Sequence, residues 1–309
     1  MHKINSTLPS CDGVHTLAVY EFIPDEPRAV VQIVHGMAEH IGRYAPFSEY
    51  LCEHGIAVVG HDHLGHGRTA NSPDELGYIA DKGGADMLIA DAMNVTRYIK
   101  EKFDLPIILF GHSMGSLVSR NYISRDSSLL EGCILCGNVQ DTLKIAPAVT
   151  GFLAAFGKKR DSRLLNSMAF AAYNKKIDDP RTEFDWLSEN EQNVDNYLAD
   201  ELCGFNFKAK AMHDLATLNA NVSGDSWIKG IRKDLPIYLF SGEDDPCGGY
   251  GEGVRRISQK LEEGGVESVS LTLYPKMRHE ILNETDNQRV MHDMLDAINE
   301  ILEEKDYGV

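Results

Sequence analysis

The chain has 309 residues, 43% of them hydrophobic, and a formal net charge of −17. That length suits one large domain or a domain carrying an insertion. The negative charge argues against nucleic-acid backbones and against electrostatic docking on anionic membranes, and with no run of 18 apolar residues no membrane span is expected.

The N-terminal stretch "MHKINSTLPSCDG" lacks an apolar core of the kind a secretory signal needs, so a cytoplasmic enzyme is expected. Strand patterns then follow at 17–24, 29–36, 55–62, 106–113, 132–137, 236–244 and 268–275, most of them rich in β-branched residues and ending in Gly, Pro or Asp. The first of these, joined by short turns, are expected to pair antiparallel. Helical patterns lie between the strands, at 43–54, 84–103, after Ser113, at 250–263 and at 286–304. Such alternation predicts an α/β fold with a mostly parallel sheet covered by helices on both faces. The pattern breaks between 138 and 230, where "APAVTGFLAAFG", "SRLLNSMAFAAYNKK" and "FNFKAKAMHDLATLNANVS" read as helices. The expected organisation is therefore a core of 1–137 and 231–309 with a helical cap, 138–230, at the carboxyl side of the sheet.

Two cysteine and histidine clusters invite other readings. Cys133 and Cys136 form a C-x-x-C, but within a short apolar run and without a second such pair, so they read as buried strand thiols. Six cysteines in a chain this long do not make a disulfide framework. His61, His63 and His66 in "HDHLGHG" approach a metallohydrolase pattern, but Gly65 stands where a bridging aspartate belongs. A tight glycine loop with locally satisfied side chains is the expectation there.

The chemistry concentrates at Gly111-His112-Ser113-Met114-Gly115, where an apolar strand runs directly into a helix. A bare G-x-S-x-G is weak evidence. At a strand-to-helix junction it is more specific, because a turn that tight strains the central residue and demands small neighbours. The strain presents the Ser113 hydroxyl at a helix N-terminus, where a developing oxyanion is favoured. A serine nucleophile needs a base and a carboxylate to orient it, in the chain order Ser, acid, His. Of the downstream histidines, His213 falls in the cap and His292 inside a helix, whereas His279 follows the last strand in "YPKMRHEILNE" and is the expected base. For the acid, Glu243, Asp244 and Asp245 compete in "LFSGEDDPCGG", and residue chemistry leaves the three open. The oxyanion donors are expected from the main-chain amides of Met114 and of Met37, which follows the strand at 29–36.

Taken together, "HGMAEHIGRY", "GHDHLGHGRT", "FGHSMGS", "SGEDDPCGG" and "RHE" resemble the α/β-hydrolase subgroup of monoacylglycerol lipases and lysophospholipase-like hydrolases, often labelled serine aminopeptidase S33. The resemblance covers nearly the whole chain in order. It implies an eight-stranded sheet with an inserted cap, Asp245 as the acid, and a Ser113–His279–Asp245 triad with Met37 and Met114 amides around the oxyanion. Cys247 departs from the small aliphatic residue usual at its position. The expected function is cleavage of carboxylic esters through an acyl-enzyme, on a small-molecule ester with an acyl chain. No cofactor or metal is needed, no nucleic-acid partner is implied, and lipid-surface contact would be at most transient, through the cap. A small-ester carboxylesterase and a non-catalytic binding protein are the alternatives.

Overall fold

The structure is a computed structural model and describes residues 1–141, 146–155 and 162–304. In chain order it runs β1 (His2–Pro9), β2 (Thr16–Ile23), β3 (Ala29–Val34), α1 (Ala45–Glu53), β4 (Ile56–His61), α2 (Gly84–Phe103), β5 (Ile107–His112), α3 (Met114–Arg125) and β6 (Gly132–Cys136). A helical stretch follows, with α4 (Ala146–Ala155), α5 (Arg163–Phe170), α6 (Glu191–Ala199) and α7 (Ala209–Asn221). The chain closes with β7 (Ile237–Gly242), α8 (Glu252–Glu263), β8 (Val269–Tyr274) and α9 (Asn287–Glu304).

The strands form one eight-stranded sheet in the order β1-β2-β4-β3-β5-β6-β7-β8. From β4 to β8 every neighbour is parallel; β1–β2 and β2–β4 are antiparallel. Parallel strands are buried on both faces, which explains the unbroken apolar runs. Alternate residues of each strand enter different cores. Val30, Ile107, Leu109 and Leu135 pack with Leu88, Val95 and Ile99 of α2 and with Leu117 and Val118 of α3. Val31, Ile33, Ile108, Phe110 and Ile134 pack on the other face with Phe47 and Leu51 of α1 and Met294, Ile298 and Ile301 of α9. Each fully buried aliphatic or aromatic side chain contributes about 1.5–3 kcal/mol.

Two expectations are corrected. β1 was not foreseen: its side chains are polar and mostly exposed, as suits a strand at the sheet edge. The strands at 17–24 and 29–36 do not pair with each other. β2 lies between β1 and β4, while β3, buried at all six positions, inserts between β4 and β5. The connection holds Pro24 and Pro27 and carries the chain past the slot that β4 fills, where a two-residue turn would have forced a hairpin.

Between β6 and β7 the described residues contain helices and turns but no strand. This stretch reaches the carboxyl edge of the sheet, where Trp186 packs at a tilt against His279 with ring centroids 5.1 Å apart. Within "APAVTGFLAAFG", Phe156 and Gly157 lie outside the described residues. Among the described residues, no helix is long and apolar enough to cross a membrane.

A very close backbone approach occurs where β5 turns into α3. A Cβ on Gly115 would collide with the Val34 carbonyl of the neighbouring strand. Gly115→Ala is therefore expected to cost about 1–3 kcal/mol through forced displacement of β3, read as a lower urea midpoint at unchanged slope.

Candidate functional site

β5 ends at His112, and the next residue, Ser113, has a φ of 54° and a ψ of −118°, a region ordinary side chains avoid. Such a residue costs about 1–3 kcal/mol and persists only when its surroundings hold it. The Ser113 amide donates to the Cys136 carbonyl at 3.1 Å, and its carbonyl accepts from the Ser116 amide at 2.8 Å. The Ser116 hydroxyl donates to the same carbonyl at 2.7 Å. With the backbone pinned, Oγ projects from the sheet edge at the start of α3.

His279 Nε2 lies 2.8 Å from Ser113 Oγ, and Nδ1 lies 2.9 Å from Asp245 Oδ2. A carboxylate only accepts, so Nδ1 carries the proton and Nε2 is left to receive one from the serine. Asp245 is buried, and its Oδ1 accepts from the Cys247 amide at 2.8 Å. Burial pulls the His279 pKa down, but the Asp245 charge outweighs it and holds the imidazole well above its ordinary value. The ring is clasped between His112, 4.9 Å away, and Trp186. Of the competing carboxylates, Glu243 faces Arg255 at 3.8 Å and Asp244 is exposed. His213 binds the Pro147 carbonyl within the helical stretch, and His292 pairs with Asp296 along α9. Neither joins Ser113.

The loop after β3 lies against the serine: a Cβ on Gly36 would sit 3.1 Å from that of Ser113. Met37 follows Gly36 in the chain as Met114 follows Ser113. The loop is held by side chains that sequence reasoning passed over. Glu39 Oε1 accepts from the Gly36 amide at 2.6 Å and from the Tyr44 hydroxyl at 2.8 Å. Arg43 donates to Glu39 at 3.0 Å and grips both oxygens of Glu280, next to His279, at 2.6 and 2.7 Å. Burial works against the Glu280 charge, but Arg43 overrides it and holds that carboxyl down to about 2. Burial pushes Glu39 up, with Arg43 opposing. Glu39, Arg43 and Glu280 all stand in the quoted motifs, yet nothing in their spacing announces that they meet.

Part of the histidine cluster supports the same loop, but local satisfaction is incomplete, since among the described residues both His61 ring nitrogens and His63 Nδ1 are buried without a hydrogen-bond partner. His66 Nδ1 donates to the Leu64 carbonyl, so its Nε2 accepts from the Ala38 amide at 3.2 Å. His35 Nδ1 donates to the Gly36 carbonyl, and its Nε2 accepts from the His63 amide at 3.0 Å. Burial drives His61 and His66 down to about 4, and His35 and His63 well below their usual value. Asp62 does not reach for a metal either. Its oxygens take the amides of Ile41 and Arg68 and the Tyr20 hydroxyl, around the left-handed Gly65 and Gly67.

Among the described residues, two other groups bring ligand atoms within 4.8 Å of one another: Asp245–Cys247–His279 and His40–Asp200–Cys203. The first is the serine's own relay. In the second, His40 Nδ1 accepts from the Gly42 amide, so Nε2 carries the proton and donates to Asp200. Cys133 and Cys136 are buried in β6, and all six cysteines are unpaired. Cys247 is buried beside His279 and Tyr173, where desolvation pushes its thiol up.

Parallel strands that deliver serine, carboxylate and histidine to one edge, in that chain order, mark the α/β-hydrolases. Comparison with known proteins narrows this. The family model for serine aminopeptidase S33 matches residues 25–286, so the chain belongs to that family, and it is an ester hydrolase. It is 25% identical to monoglyceride lipase of Mus musculus over 92% of this chain and 89% of that protein. It is likewise 25% identical to monoacylglycerol lipase of Mycolicibacterium smegmatis, over 89% of this chain and 90% of the relative. The structure of a thermostable carboxyl esterase from Bacillus coagulans, in complex with glycerol, superposes with a TM-score of 0.91 at 29% identity, covering 97% of this chain and 99% of that one.

The electrostatics set three expectations. The neutral imidazole is the form that accepts a proton, and the His279 pKa is raised. Activity should therefore climb with pH, with its acid limb centred above 6.5. Asp245→Asn should lower the rate about 10⁴-fold and move that limb to lower pH in a kcat/KM profile. Arg43→Met strands two buried carboxylates and is expected to cost about 3–5 kcal/mol in urea unfolding, partly recovered by adding Glu280→Gln.

Proposed function

We propose that the protein hydrolyses carboxylic esters of monoacylglycerol or lysophospholipid type through an acyl-enzyme on Ser113. The observation that carries this reading is the unbroken relay from Asp245 through His279 to Ser113 Oγ. Ser113 Oγ attacks the ester carbonyl while His279 Nε2 takes its proton. Asp245 holds the ring in the productive tautomer and stabilises its cation. The Met37 and Met114 amides carry the tetrahedral oxyanion. His279 then protonates the departing alcohol, and a water, deprotonated by the same nitrogen, releases the acid. Nucleophile, base and oxyanion donors all come from the chain itself.

Likeness to two monoacylglycerol lipases over most of the chain supports the lipid-ester substrate. Residues 138–230 act in this reading as a cap over the site. On its α4, Val149, Phe152 and Leu153 are exposed, which favours contact with a lipid surface over packing on the core. Six unpaired cysteines favour a reducing, cytoplasmic setting. The second reading, a small-ester carboxylesterase, is favoured by the likeness to the Bacillus coagulans carboxyl esterase.

Hydrolysis of p-nitrophenyl acetate through laurate by wild type and Ser113→Ala tests the proposal. Ser113→Ala should lose more than about 10⁴-fold in kcat and fail to react with a fluorophosphonate probe. An optimum at medium or long chains supports the lipid ester, and an optimum at acetate or butyrate the carboxylesterase. Undiminished turnover by Ser113→Ala would sink both.

A further inference from the structure

We infer that Tyr197, on α6 of the cap, is a positioning residue for the oxyanion hole, acting through the carbonyl of Ala38. The inference rests on the hydrolytic reading above, in which the Met37 amide is an oxyanion donor.

Ala38 follows Met37 directly and has a φ of 53°, a left-handed conformation that an alanine adopts only under constraint. The peptide groups around Met37 are tied down on two sides. From the core, Glu39 takes the Gly36 amide, His35 donates to the Gly36 carbonyl, and His66 accepts the Ala38 amide. From the cap, the Tyr197 hydroxyl donates to the Ala38 carbonyl at 3.0 Å. The Gly204 amide donates to the same oxygen, also at 3.0 Å. That carbonyl is therefore held entirely by cap donors among the hydrogen bonds that fix the loop.

The three core anchors belong to the loops that leave β3 and β4. The two cap anchors lie within eight residues of each other, on a segment that also reaches the loop through Asp200, which accepts from His40 at 2.9 Å. The Tyr197 ring is itself fixed, with the Arg43 guanidinium 4.9 Å from its centroid and Phe184 5.3 Å away. Its hydroxyl therefore cannot swing away without the ring moving. Donors that stabilise an oxyanion work by being oriented before charge develops. Losing one of its two donors loosens the Ala38 carbonyl, which lets the strained residue relax and shifts the loop that carries Met37. The oxyanion hole is thus completed when the 197–204 segment is seated on the loop.

Tyr197→Phe removes only the hydroxyl and keeps the ring. In the full chain, with p-nitrophenyl butyrate, the expected result is a fall in kcat of about tenfold, the effect of one neutral hydrogen bond, with KM within about twofold of wild type. The independent readout is an alkyl trifluoromethyl ketone. Ser113 Oγ adds to its carbonyl carbon, the serine proton passes to His279, and the former carbonyl oxygen becomes an anion in the hole. Its affinity should weaken by the same factor as kcat, while melting temperature and far-UV circular dichroism stay at wild-type values. Unchanged kcat and ketone affinity in the folded variant would overturn the inference. So would a loss of kcat without loss of ketone affinity, or a rise in KM alone. Ser113→Ala, assayed alongside, separates the two levels. If it is active, the hydrolytic reading itself fails. If it is inactive while Tyr197→Phe behaves as wild type, only the role of Tyr197 fails.

Discussion

One guanidinium joins the parts of this site. Arg43 starts from the loop that follows β3 and bonds back to Glu39 on the same loop. It then reaches Glu280, the residue after the proposed base His279, and Asn193 on α6. Loop, base and helical insertion therefore share one buried charge. An ion pair of this kind adds little net stability, because desolvating three charged groups offsets most of their attraction. What it does supply is geometry. A planar fork that satisfies two carboxylates admits few arrangements, and each of them fixes where Met37, His279 and α6 lie.

Around that fork the protein uses imidazoles as fixed polar struts. His35 and His66 each donate from Nδ1 to a carbonyl and accept an amide at Nε2. Only a neutral ring in one tautomer can do both. Burial, which makes a charged ring costly, thus enforces the hydrogen-bonding pattern the loop requires. His279 differs from these rings because a buried carboxylate stands behind it. The same side chain acts as strut or base according to whether Asp245 or a peptide group faces Nδ1.

The parts of this architecture that are local in sequence were readable there. Unbroken apolar runs marked the parallel strands, and a serine between glycines at a strand end marked the elbow. β1 was hidden because an edge strand has one partner and keeps polar side chains, so its sequence looks like a tail. The antiparallel pairing expected for the second and third strands failed because strand order depends on which gap in the sheet stays open, a property of the whole chain. The carboxylates at 243–245 could be separated only through family resemblance. In space they differ sharply, since Asp245 alone turns inward to His279. The Arg43–Glu280 pair, 237 positions apart, left no local signal, and its charges read as ordinary surface residues. The docking of Trp186 and Tyr197 against the catalytic loops was likewise invisible, because an aromatic-rich helical segment does not say what it covers.

The buried imidazoles also bear on where the molecule can endure. His35, His61, His63, His66 and His112 are all held below their usual value by burial. Once unfolded, each would take up a proton near pH 6.5; the native chain refuses it until far more acid conditions. Falling pH therefore draws the equilibrium toward the disordered chain, by up to about 1.4 kcal/mol per pH unit for each ring. Several rings acting together are large beside the roughly 5–15 kcal/mol that keeps a domain folded. His279 is shifted the other way, because the Asp245 charge outweighs burial, and holds its proton to higher pH than an ordinary imidazole. Acid thus works against the fold through these rings and against the proposed base through His279.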